Sequence, residues 1–460
     1  MSASELFNES LIRRYNISGP RYTSYPTAVE FSETFTTDDY LTQVEQSNAS
    51  GKPLSLYLHI PFCDTVCYYC ACNKIITNNR RHAEPYLASL HREIAMQAAL
   101  FDRNRQVQQL HWGGGTPTFI NAEQMTELMA VTRQHFNLAA DDSADFSIEI
   151  DPREADPQRI ELLRQLGFNR LSLGVQDFDP QVQQAVNRIQ SEQQTLSILD
   201  AARDNGFKSI SIDLIYGLPH QTVTSFRKTL DKIIKAQPDR LSVFNYAHLP
   251  ARFKTQRQIR SEDLPSANEK LDILYQSIDQ LTEAGYVYIG MDHFAKPDDE
   301  LAIAQRAGRL HRNFQGYSTH GDCDLIGLGM TSIGSVADAY IQNQRELGLY
   351  QQQVNADQLP VMRGYLLSRD DKVRRTVITR LICDFALDIE AIENQLGYDF
   401  FSYFVDALPA LRQFSNDKLL EFDEKHIRVL AAGRLLIRNI CMAFDRYSLQ
   451  HQQSRFSKAI

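Results

Sequence analysis

Strand-like and helix-like segments alternate along most of this 460-residue chain, and this alternation limits the possible fold more than any other feature. Residues 54–60 alternate apolar and polar side chains like a strand, and residues 83–101 repeat apolar side chains with a helical period. Alternating strands and helices favour a parallel sheet with right-handed crossovers. A further helix is predicted from residue 122, and further strands are predicted at residues 107–112, 146–150, 170–175, 209–216, 241–246 and 286–291.

Two architectures are compatible with this series of strands. About six strand–helix units could close into a complete or partial barrel. The same pattern fits a doubly wound open sheet, and periodicity alone does not separate the two. In both architectures the active site lies at the carboxyl ends of the strands.

The two ends of the chain differ in pattern from the middle. Residues 1–50 have no strong period, and residues 19–27 combine turn formers, aromatic residues and an arginine, which predicts an irregular arm or a surface tail. We expect an arm at residues 1–48, a barrel at 49–320, a connector at 321–365 and a mostly helical domain at 366–460. In that last domain, helices are predicted at residues 373–385, 389–396, 400–414 and 433–444, and a hairpin at 419–429.

Composition excludes several classes of protein. A hydrophobic fraction of 43% and a charged fraction of 23% exclude a disordered chain. The net charge of −9 disfavours a nucleic-acid binder or a binder of anionic membranes. No apolar run approaches the roughly 18 residues of a transmembrane helix, and the first residues lack the apolar stretch of a signal peptide. We therefore expect a cytoplasmic protein.

A cluster of cysteines follows the first predicted strand. Four of the seven cysteines fall within ten residues, and the first three, Cys63, Cys67 and Cys70, have the spacing C-x3-C-x2-C. Thiolates are soft ligands that select zinc, copper(I) or iron–sulfur centres. Three thiolates on a four-iron cluster leave one iron open to a substrate. The alternative is a structural zinc site with Cys72 or His59 as fourth ligand, although a second C-x2-C pair is absent from the sequence.

Other residues suggest a ligand site at the same edge of the sheet. Glycines at residues 113–115 would let the backbone approach a ligand closely, or would simply form a tight turn. Glu149 and Asp213 lie within strands, where an inward carboxylate needs a partner. The alternative is that they face solvent. Tyr57 and His59 share one strand face, where they could orient a cofactor or relay a proton, or His59 could be a satisfied core histidine.

These motifs together resemble those of a known family. The cysteine loop, preceded by residues 57–62 (YLHIPF), is similar to that of radical S-adenosylmethionine (SAM) enzymes. With Cys72 included, the chain more closely resembles the oxygen-independent coproporphyrinogen III oxidases, over nearly its whole length from about residue 11. The motifs that carry this resemblance are residues 20–28 (PRYTSYPTA), 111–118 (HWGGGTPT), 174–177 (GVQD) and 213–219 (DLIYGLP).

The resemblance implies a fold, an activity and cofactors. The fold would be a partial (β/α)6 barrel with an N-terminal arm and a helical C-terminal domain. The family binds one [4Fe–4S] cluster and two SAM molecules. It converts two propionate side chains of coproporphyrinogen III to vinyl groups by means of a 5'-deoxyadenosyl radical, which gives protoporphyrinogen IX in haem biosynthesis.

The resemblance also implies roles for individual residues. The cluster ligands would be Cys63, Cys67 and Cys70, whereas Cys72 would not be a ligand. The first SAM molecule would be bound by Tyr57, Gly114, Glu149 and Ile333. The second would be bound by Tyr69, Gly115, Thr116, Gln176, Arg188, Asp213 and Ala247.

The same interpretation implies partner molecules and leaves two alternative functions. We expect a monomer that takes electrons from a reductant protein such as flavodoxin or ferredoxin. The substrate carries four carboxylates, so we expect arm cations, Arg21 above all, to bind it beside aromatic rings such as Tyr22 and Tyr25. One rival is the sister family of haem chaperones, whose haem-binding segment does not fit residues 311–317 (HRNFQGY). The other rival is a zinc-stabilised interaction protein.

Overall fold

The computed structural model describes residues 2–448 and places a curved, mostly parallel sheet at the centre of the protein. The strands are β1 Leu54–Ile60, β2 Phe62–Cys63, β3 Ile75–Ile76, β4 Gln106–Gly114, β5 Asn137–Leu138, β6 Asp145–Ile150, β7 Arg170–Gln176, β8 Ser209–Tyr216, β9 Arg240–Asn245, β10 Val287–Gly290, β11 His293–Ala295, β12 His311–Asn313, β13 Gly316–Ser318, β14 Asp324–Leu328, β15 Ile333–Val336, β16 Ala339–Asn343, β17 Val361–Leu366, β18 Ala386–Asp388, β19 Leu420–Phe422 and β20 His426–Val429.

Helices cover the outer face of the sheet and build most of the C-terminal part. They are α1 Ala3–Leu6, α2 Glu9–Arg14, α3 Thr37–Ser50, α4 Ala83–Ala98, α5 Ala122–His135, α6 Pro157–Gln165, α7 Pro180–Ala185, α8 Glu192–Asp204, α9 Val223–Ala236, α10 Ala267–Glu283, α11 Glu300–Arg306, α12 Leu347–Asn355, α13 Arg369–Asp384, α14 Ile389–Leu396, α15 Phe400–Tyr403, α16 Leu408–Asn416, α17 Ala431–Leu435 and α18 Ile437–Met442. None of these helices is long and apolar enough to cross a membrane.

The barrel is formed by six neighbouring parallel strands, in the order β1-β4-β6-β7-β8-β9. Along each strand, side chains point alternately toward the covering helices and toward the cavity inside the curved sheet. In β6, Ile148 and Ile150 are buried, whereas Ser147 and Glu149 line the cavity inside the curved sheet. Because the strands are parallel, their carboxyl ends meet at one edge. The predicted partial barrel is confirmed.

The strand predicted at residues 286–291 does not simply extend this parallel series. It is the shorter β10, and the chain then reverses at Met291 and Asp292, which both have positive φ. The returning strand β11 inserts between β10 and β9 and pairs antiparallel with both. Strand periodicity shows which face is buried, but it does not show which neighbour a short strand chooses.

The other edge of the sheet extends beyond the predicted barrel. Strand β14 pairs parallel with β1, and β15, β16 and β17 then continue the sheet antiparallel. The segment predicted as a connector therefore contributes four strands to the central sheet. The hairpin β12–β13 borders the barrel cavity with Gln315 and Tyr317.

The N-terminal residues are more ordered than their weak period suggests. Helix α3 begins with a capping box between Thr36 and Asp39, a local signal that periodicity does not detect. Residues 19–27 form neither helix nor strand, as predicted. They are nevertheless anchored, since Tyr22 and Tyr25 are 4% and 1% exposed. Their ring faces are therefore packed in the core, and they are not open to a flat substrate.

The C-terminal part is mostly helical, and its predicted hairpin is the antiparallel pair β19–β20. Strand β18, which has only three residues and no detectable period, adds a third strand to this small sheet. The helix predicted at residues 400–414 is interrupted, because it divides into α15, a 3-10 turn at Val405–Ala407 and α16. Pro409 lies in the first turn of α16, where a missing backbone N–H costs no helical hydrogen bond.

Candidate active site

The three predicted cluster ligands lie together on the loop that follows β1. Cys63, Cys67 and Cys70 border one cavity of about 270 Å³ at the carboxyl ends of the barrel strands. Pairing of β2 with β3 closes the base of the loop, and the Cys70 amide donates to the Cys67 carbonyl at 3.1 Å. Within residues 2–448, no three His, Cys, Asp or Glu side chains are arranged to hold a single metal ion. Cys72 borders the same cavity, and thiolates are the ligands that iron–sulfur clusters take.

Hydrogen-bond donors surround the thiols. Thr116 Oγ1 lies 3.5 Å from Cys63 Sγ. Arg153 Nη2 and Arg188 Nη1 lie 3.4 and 3.5 Å from Cys67 Sγ. Such donors stabilise negative charge on sulfur and tune the centre that the thiolates hold.

A charged triad fixes the two arginines. Asp151 Oδ2 accepts from Arg188 Nη1 at 2.8 Å and from Arg153 Nη2 at 2.7 Å. Burial alone would raise the pKa of Asp151, but the two guanidinium groups lower it below its ordinary value. Asp151 therefore stays ionised and orients both arginines toward Cys67. Sequence reasoning missed Asp151 and Arg153, although their position directly after β6 is where functional residues of such barrels lie.

Three buried polar atoms at this site have no hydrogen-bond partner in the described part of the chain. They are Arg188 Nε, Gln176 Oε1 and Asp64 Oδ1, and all three residues border the cavity. Gln176 also has a positive φ of 67°, an uncommon conformation for a residue with a side chain. Of these three atoms, the donor Arg188 Nε and the acceptor Gln176 Oε1 suit a ligand with a carboxylate and hydroxyl groups, as SAM has. The residues present therefore fit the implied cofactor.

Gly114 is the point at which the backbone must approach other groups closely. Its φ is +117°, and a Cβ there would lie 2.6 Å from the His59 ring. The Gly114 amide donates to Glu149 Oε2 at 3.2 Å. His111 Nε2 lies 3.3 Å from Glu149 Oε1. Burial opposes ionisation of Glu149, but His111 and the amide lower its pKa, so an anionic carboxylate faces the cavity.

Tyr57 and His59 stand behind Gly114 and do not border the cavity themselves. The Tyr57 ring stacks on His111, with centroids 5.8 Å apart, and its hydroxyl lies 3.1 Å from His59 Nδ1. Burial lowers the pKa of His59 to about 4, so the imidazole is neutral at neutral pH. Sequence reasoning did not select His111, which links this pair to Glu149.

Asp213 connects the cluster cavity with the interior of the barrel. Glu149, Ser172 and Asp213 line both the cluster cavity and a second cavity of about 350 Å³ inside the barrel. Ser172 Oγ donates to Asp213 Oδ2 at 3.0 Å. Burial raises the pKa of Asp213 to about 6 despite the serine hydrogen bonds. These three side chains therefore stand between the cluster cavity and the interior of the barrel.

The remaining predicted residues are distributed around this centre. Tyr69, Gly115 and Thr116 border the cluster cavity. Ala247 does not, but Gln256 Nε2 donates to the carbonyls of both Tyr69 and Ala247, at 3.0 and 3.2 Å. Ile333 packs instead against a separate apolar cluster that contains Phe31 and Tyr340.

Arg21 lies outside the cluster cavity, in a small cavity that Asp292 and Arg438 also line. Its guanidinium is 3.4 Å from Asp292 Oδ2. Nearby on β12, Arg312 has buried Nε and Nη1 atoms without a hydrogen-bond partner in residues 2–448. The field of Arg312 reaches Arg438 and helps to lower its pKa, after the larger effect of burial and that of Arg21. Sequence reasoning selected Arg21 but missed Arg312 and Arg438, which are far from it in the chain.

Comparison with known proteins shows close relatives along the whole chain. The chain is 55% identical to oxygen-independent coproporphyrinogen III oxidase of Pseudomonas aeruginosa, over 99% of both chains. It is 53% identical to the protein of that name from Escherichia coli, over 98% of both. The solved structure of coproporphyrinogen III oxidase from E. coli, titled a radical SAM enzyme, superimposes with a TM-score of 0.92 at 52% identity, over 96% of this chain and 99% of that one.

A partial parallel barrel with three clustered thiols at its carboxyl edge defines the class of radical SAM enzymes. The model of the Radical SAM superfamily matches residues 57–233, and that of the HemN C-terminal domain matches residues 367–436. Together with the full-length relatives, these matches show that the chain belongs to the family of oxygen-independent coproporphyrinogen III oxidases.

Proposed function

We propose that this enzyme converts two propionate side chains of coproporphyrinogen III to vinyl groups by anaerobic oxidative decarboxylation, which gives protoporphyrinogen IX for haem biosynthesis. The observation that carries the proposal is the cavity of about 270 Å³ that Cys63, Cys67 and Cys70 border together with Cys72 and several predicted SAM-binding residues, on a chain whose full-length relatives have this name. When bound, a [4Fe–4S] cluster and two SAM molecules supply the one-electron chemistry that removes hydrogen from each propionate.

The protein's first task is to hold the cluster. We assign this to Cys63, Cys67 and Cys70, which leave one iron without a protein ligand. Arg153 and Arg188 donate toward Cys67 and offset part of the negative charge that the thiolates bring. Asp151 keeps these two donors in place, so it supports the cluster without binding it.

The second task is to bind and orient SAM. Glu149 offers an ionised carboxylate to the amine of the first molecule, next to Gly114, where the backbone can approach. Tyr57 and His59 position this wall through His111 rather than by direct contact with the cavity. Arg188 and Gln176 offer their open polar atoms to the second molecule. We propose the two sets of residues that the family resemblance implies, including Ile333 in the first and Ala247 in the second, with Tyr57 acting on the first molecule through His111.

The third task is to attract a tetra-anionic substrate to a protein of net charge −9. Arg21 and Arg312 are suited to this because their guanidinium groups can bind carboxylates in a forked geometry. Asp292 is the one carboxylate that we assign to the group of Arg21, Arg312 and Arg438. The group therefore keeps a net positive charge that can bind substrate carboxylates. Arg13 and Arg14 are less suited, since they pair with Glu9 and Asp417 at 2.6 Å.

Several properties of the whole protein belong to this proposal. We propose a cytoplasmic monomer that is reduced by flavodoxin or ferredoxin. We also propose that residues 1–48, 49–320, 321–365 and 366–460 are functional divisions of the chain. Residues 321–365 nevertheless contribute strands to the central sheet. The rival haem chaperone function is disfavoured by the full-length relatives and by Cys72 at the cluster loop.

Metal and cofactor analysis tests this proposal. Protein purified and reconstituted without oxygen should contain close to four iron and four sulfide per chain, and should cleave SAM when reduced. Zinc in place of iron, or intact SAM after reduction, would contradict the proposal. Haem binding without consumption of coproporphyrinogen III would favour the chaperone.

A further inference from the structure

A short basic stretch of the chain lies beside the cluster loop. Residues 249–260, here called the basic segment, contain Arg252, Lys254, Arg257 and Arg260 and no Asp or Glu. All four cationic residues are exposed. Arg260 pairs with Asp263 at 2.8 Å, so Arg252, Lys254 and Arg257 carry the local electropositive surface in a chain of net charge −9.

The basic segment contacts the cluster loop directly. Thr255 Oγ1 donates to the Cys70 carbonyl at 3.2 Å, and Gln256 Nε2 donates to the Tyr69 carbonyl at 3.0 Å. Ile259 shares a buried apolar cluster with Tyr69. The segment is therefore fixed against the backbone of the third cluster ligand.

A further cation joins this surface from the loop itself. Lys74 Nζ donates to the Cys70 carbonyl at 3.0 Å, so Lys74 and Thr255 share one acceptor. This shared atom places Lys74 beside the basic segment. An exposed apolar residue, Leu249, begins the segment. Cations around a small apolar area are typical of a transient interface with an acidic protein.

We propose that the basic segment and Lys74 are the docking surface for an acidic one-electron carrier protein such as flavodoxin. The proposal rests on the proposed function, since only an enzyme with a reducible cluster needs such a partner. One electron leaves the flavin hydroquinone, which becomes the semiquinone, and reduces the cluster from the 2+ to the 1+ state. Docking here brings the flavin close to Cys70, while the substrate cations Arg21 and Arg312 stay available to the substrate.

The test compares two reductants on the reconstituted enzyme under anaerobic conditions. The rate of cluster reduction is followed by loss of visible absorbance and by the electron paramagnetic resonance signal of the reduced cluster. Flavodoxin hydroquinone is the protein reductant, and photoreduced 5-deazariboflavin is a small uncharged one. The variant is Lys254→Glu/Arg257→Glu, with Lys254→Glu alone as a milder change. The control is Lys228→Glu/Lys235→Glu on α9, which reverses two exposed charges away from the cluster loop.

We expect the double variant to be reduced at least about ten-fold more slowly by flavodoxin at low ionic strength, because steering accelerates association by about 10-fold or more. High salt should slow the wild type and remove the difference. Reduction by deazariboflavin, the iron content and the KM for coproporphyrinogen III should not change, and the control should match the wild type.

Equal rates with flavodoxin, or an equal loss with both reductants, would overturn the docking proposal. A raised KM for coproporphyrinogen III with normal flavodoxin rates would also overturn it and would assign the cations to substrate. A wild-type protein that takes up no iron and sulfide would instead contradict the proposed function, so the two failures are distinguishable.

Discussion

The guanidinium of Arg188 donates to the thiol of Cys67, with Nη1 3.5 Å from Sγ, although the two residues are 121 positions apart. The same nitrogen lies 2.8 Å from Asp151 Oδ2. The cluster loop is therefore joined to the ends of the barrel strands through one buried arginine. Because Arg188 borders the cavity and its Nε has no hydrogen-bond partner in residues 2–448, this side chain can serve the cluster and a SAM molecule together.

Replacement of Arg188 should separate these two roles. We expect Arg188→Ala to weaken SAM binding about ten-fold or more, since a hydrogen bond to a charged group contributes about 1.5–3 kcal/mol. The iron content should fall by a smaller factor than the SAM affinity, because the three thiolate ligands of the cluster remain. Equilibrium binding of SAM to the reconstituted variant and iron analysis measure the two effects.

Arg188→Lys is the control because it keeps the charge and loses the fork. It should retain the cluster as well as the wild type does and recover part of the SAM affinity. Unchanged SAM affinity in Arg188→Ala would contradict the assignment of Arg188 to a SAM site.

The cysteines should differ in their effect on the cluster. Serine in place of Cys63, Cys67 or Cys70 should abolish the brown iron–sulfur chromophore, because a hydroxyl is a poor ligand for this soft site. Cys72→Ser should keep iron and lose activity. Visible absorbance and iron analysis give the result, and loss of the cluster only in Cys72→Ser would show that the ligand set is wrong.

Asp213 should make stability depend on pH. Its folded-state pKa of about 6 exceeds the ordinary 3.8, so the folded protein binds more protons than the unfolded chain between these values. The contribution of Asp213 to the free energy of unfolding is therefore fully present below about pH 4 and is lost as the pH rises through about 6. Since asparagine does not ionise, the Tm of Asp213→Asn minus that of the wild type should increase between about pH 4 and pH 7.

The exposed Asp204 is a matched control for this measurement. Asp204→Asn should show a Tm difference that hardly varies over the same range. A Tm difference for Asp213→Asn that falls with rising pH would contradict the raised pKa.

Arg21→Ala should weaken substrate binding about ten-fold or more, because it removes a charge-assisted contact. Arg14→Ala should have little effect, since Arg14 does not line the cavity of Arg21 and is held by Asp417 at 2.6 Å. Added salt should reduce the difference between Arg21→Ala and the wild type. Anaerobic measurement of KM for coproporphyrinogen III gives the comparison, and equal values for the two variants would exclude a substrate role for Arg21.

Sequence periodicity predicted the fold where strands are long and their neighbours are sequential. Strands β1 and β8 have the predicted bounds, because alternation over seven or eight residues is a strong signal. The insertion of β11 could not be predicted, since three residues carry no period and the choice of neighbour is a tertiary effect. Helix α3 was missed because its segment is mostly polar and its clearest signal is the capping box at its start.

The candidate site was predicted best where residues are close in sequence. The cysteine spacing and the glycines at 113–115 are local patterns, and the structure places them at one cavity. Asp151 could have been found from its position after β6. Arg312 could not, because the sequence does not show that β12 packs against distant segments. That packing buries Arg312 Nε and Nη1 without a hydrogen-bond partner in residues 2–448.

The most direct test is product analysis after anaerobic turnover. The reconstituted enzyme should be incubated with SAM, a reductant and coproporphyrinogen III, and the tetrapyrroles and carbon dioxide should then be measured. We predict protoporphyrinogen IX, with two carbon dioxide molecules released for each substrate consumed. Coproporphyrinogen III that remains intact while the cluster is complete and SAM is cleaved would contradict the central claim.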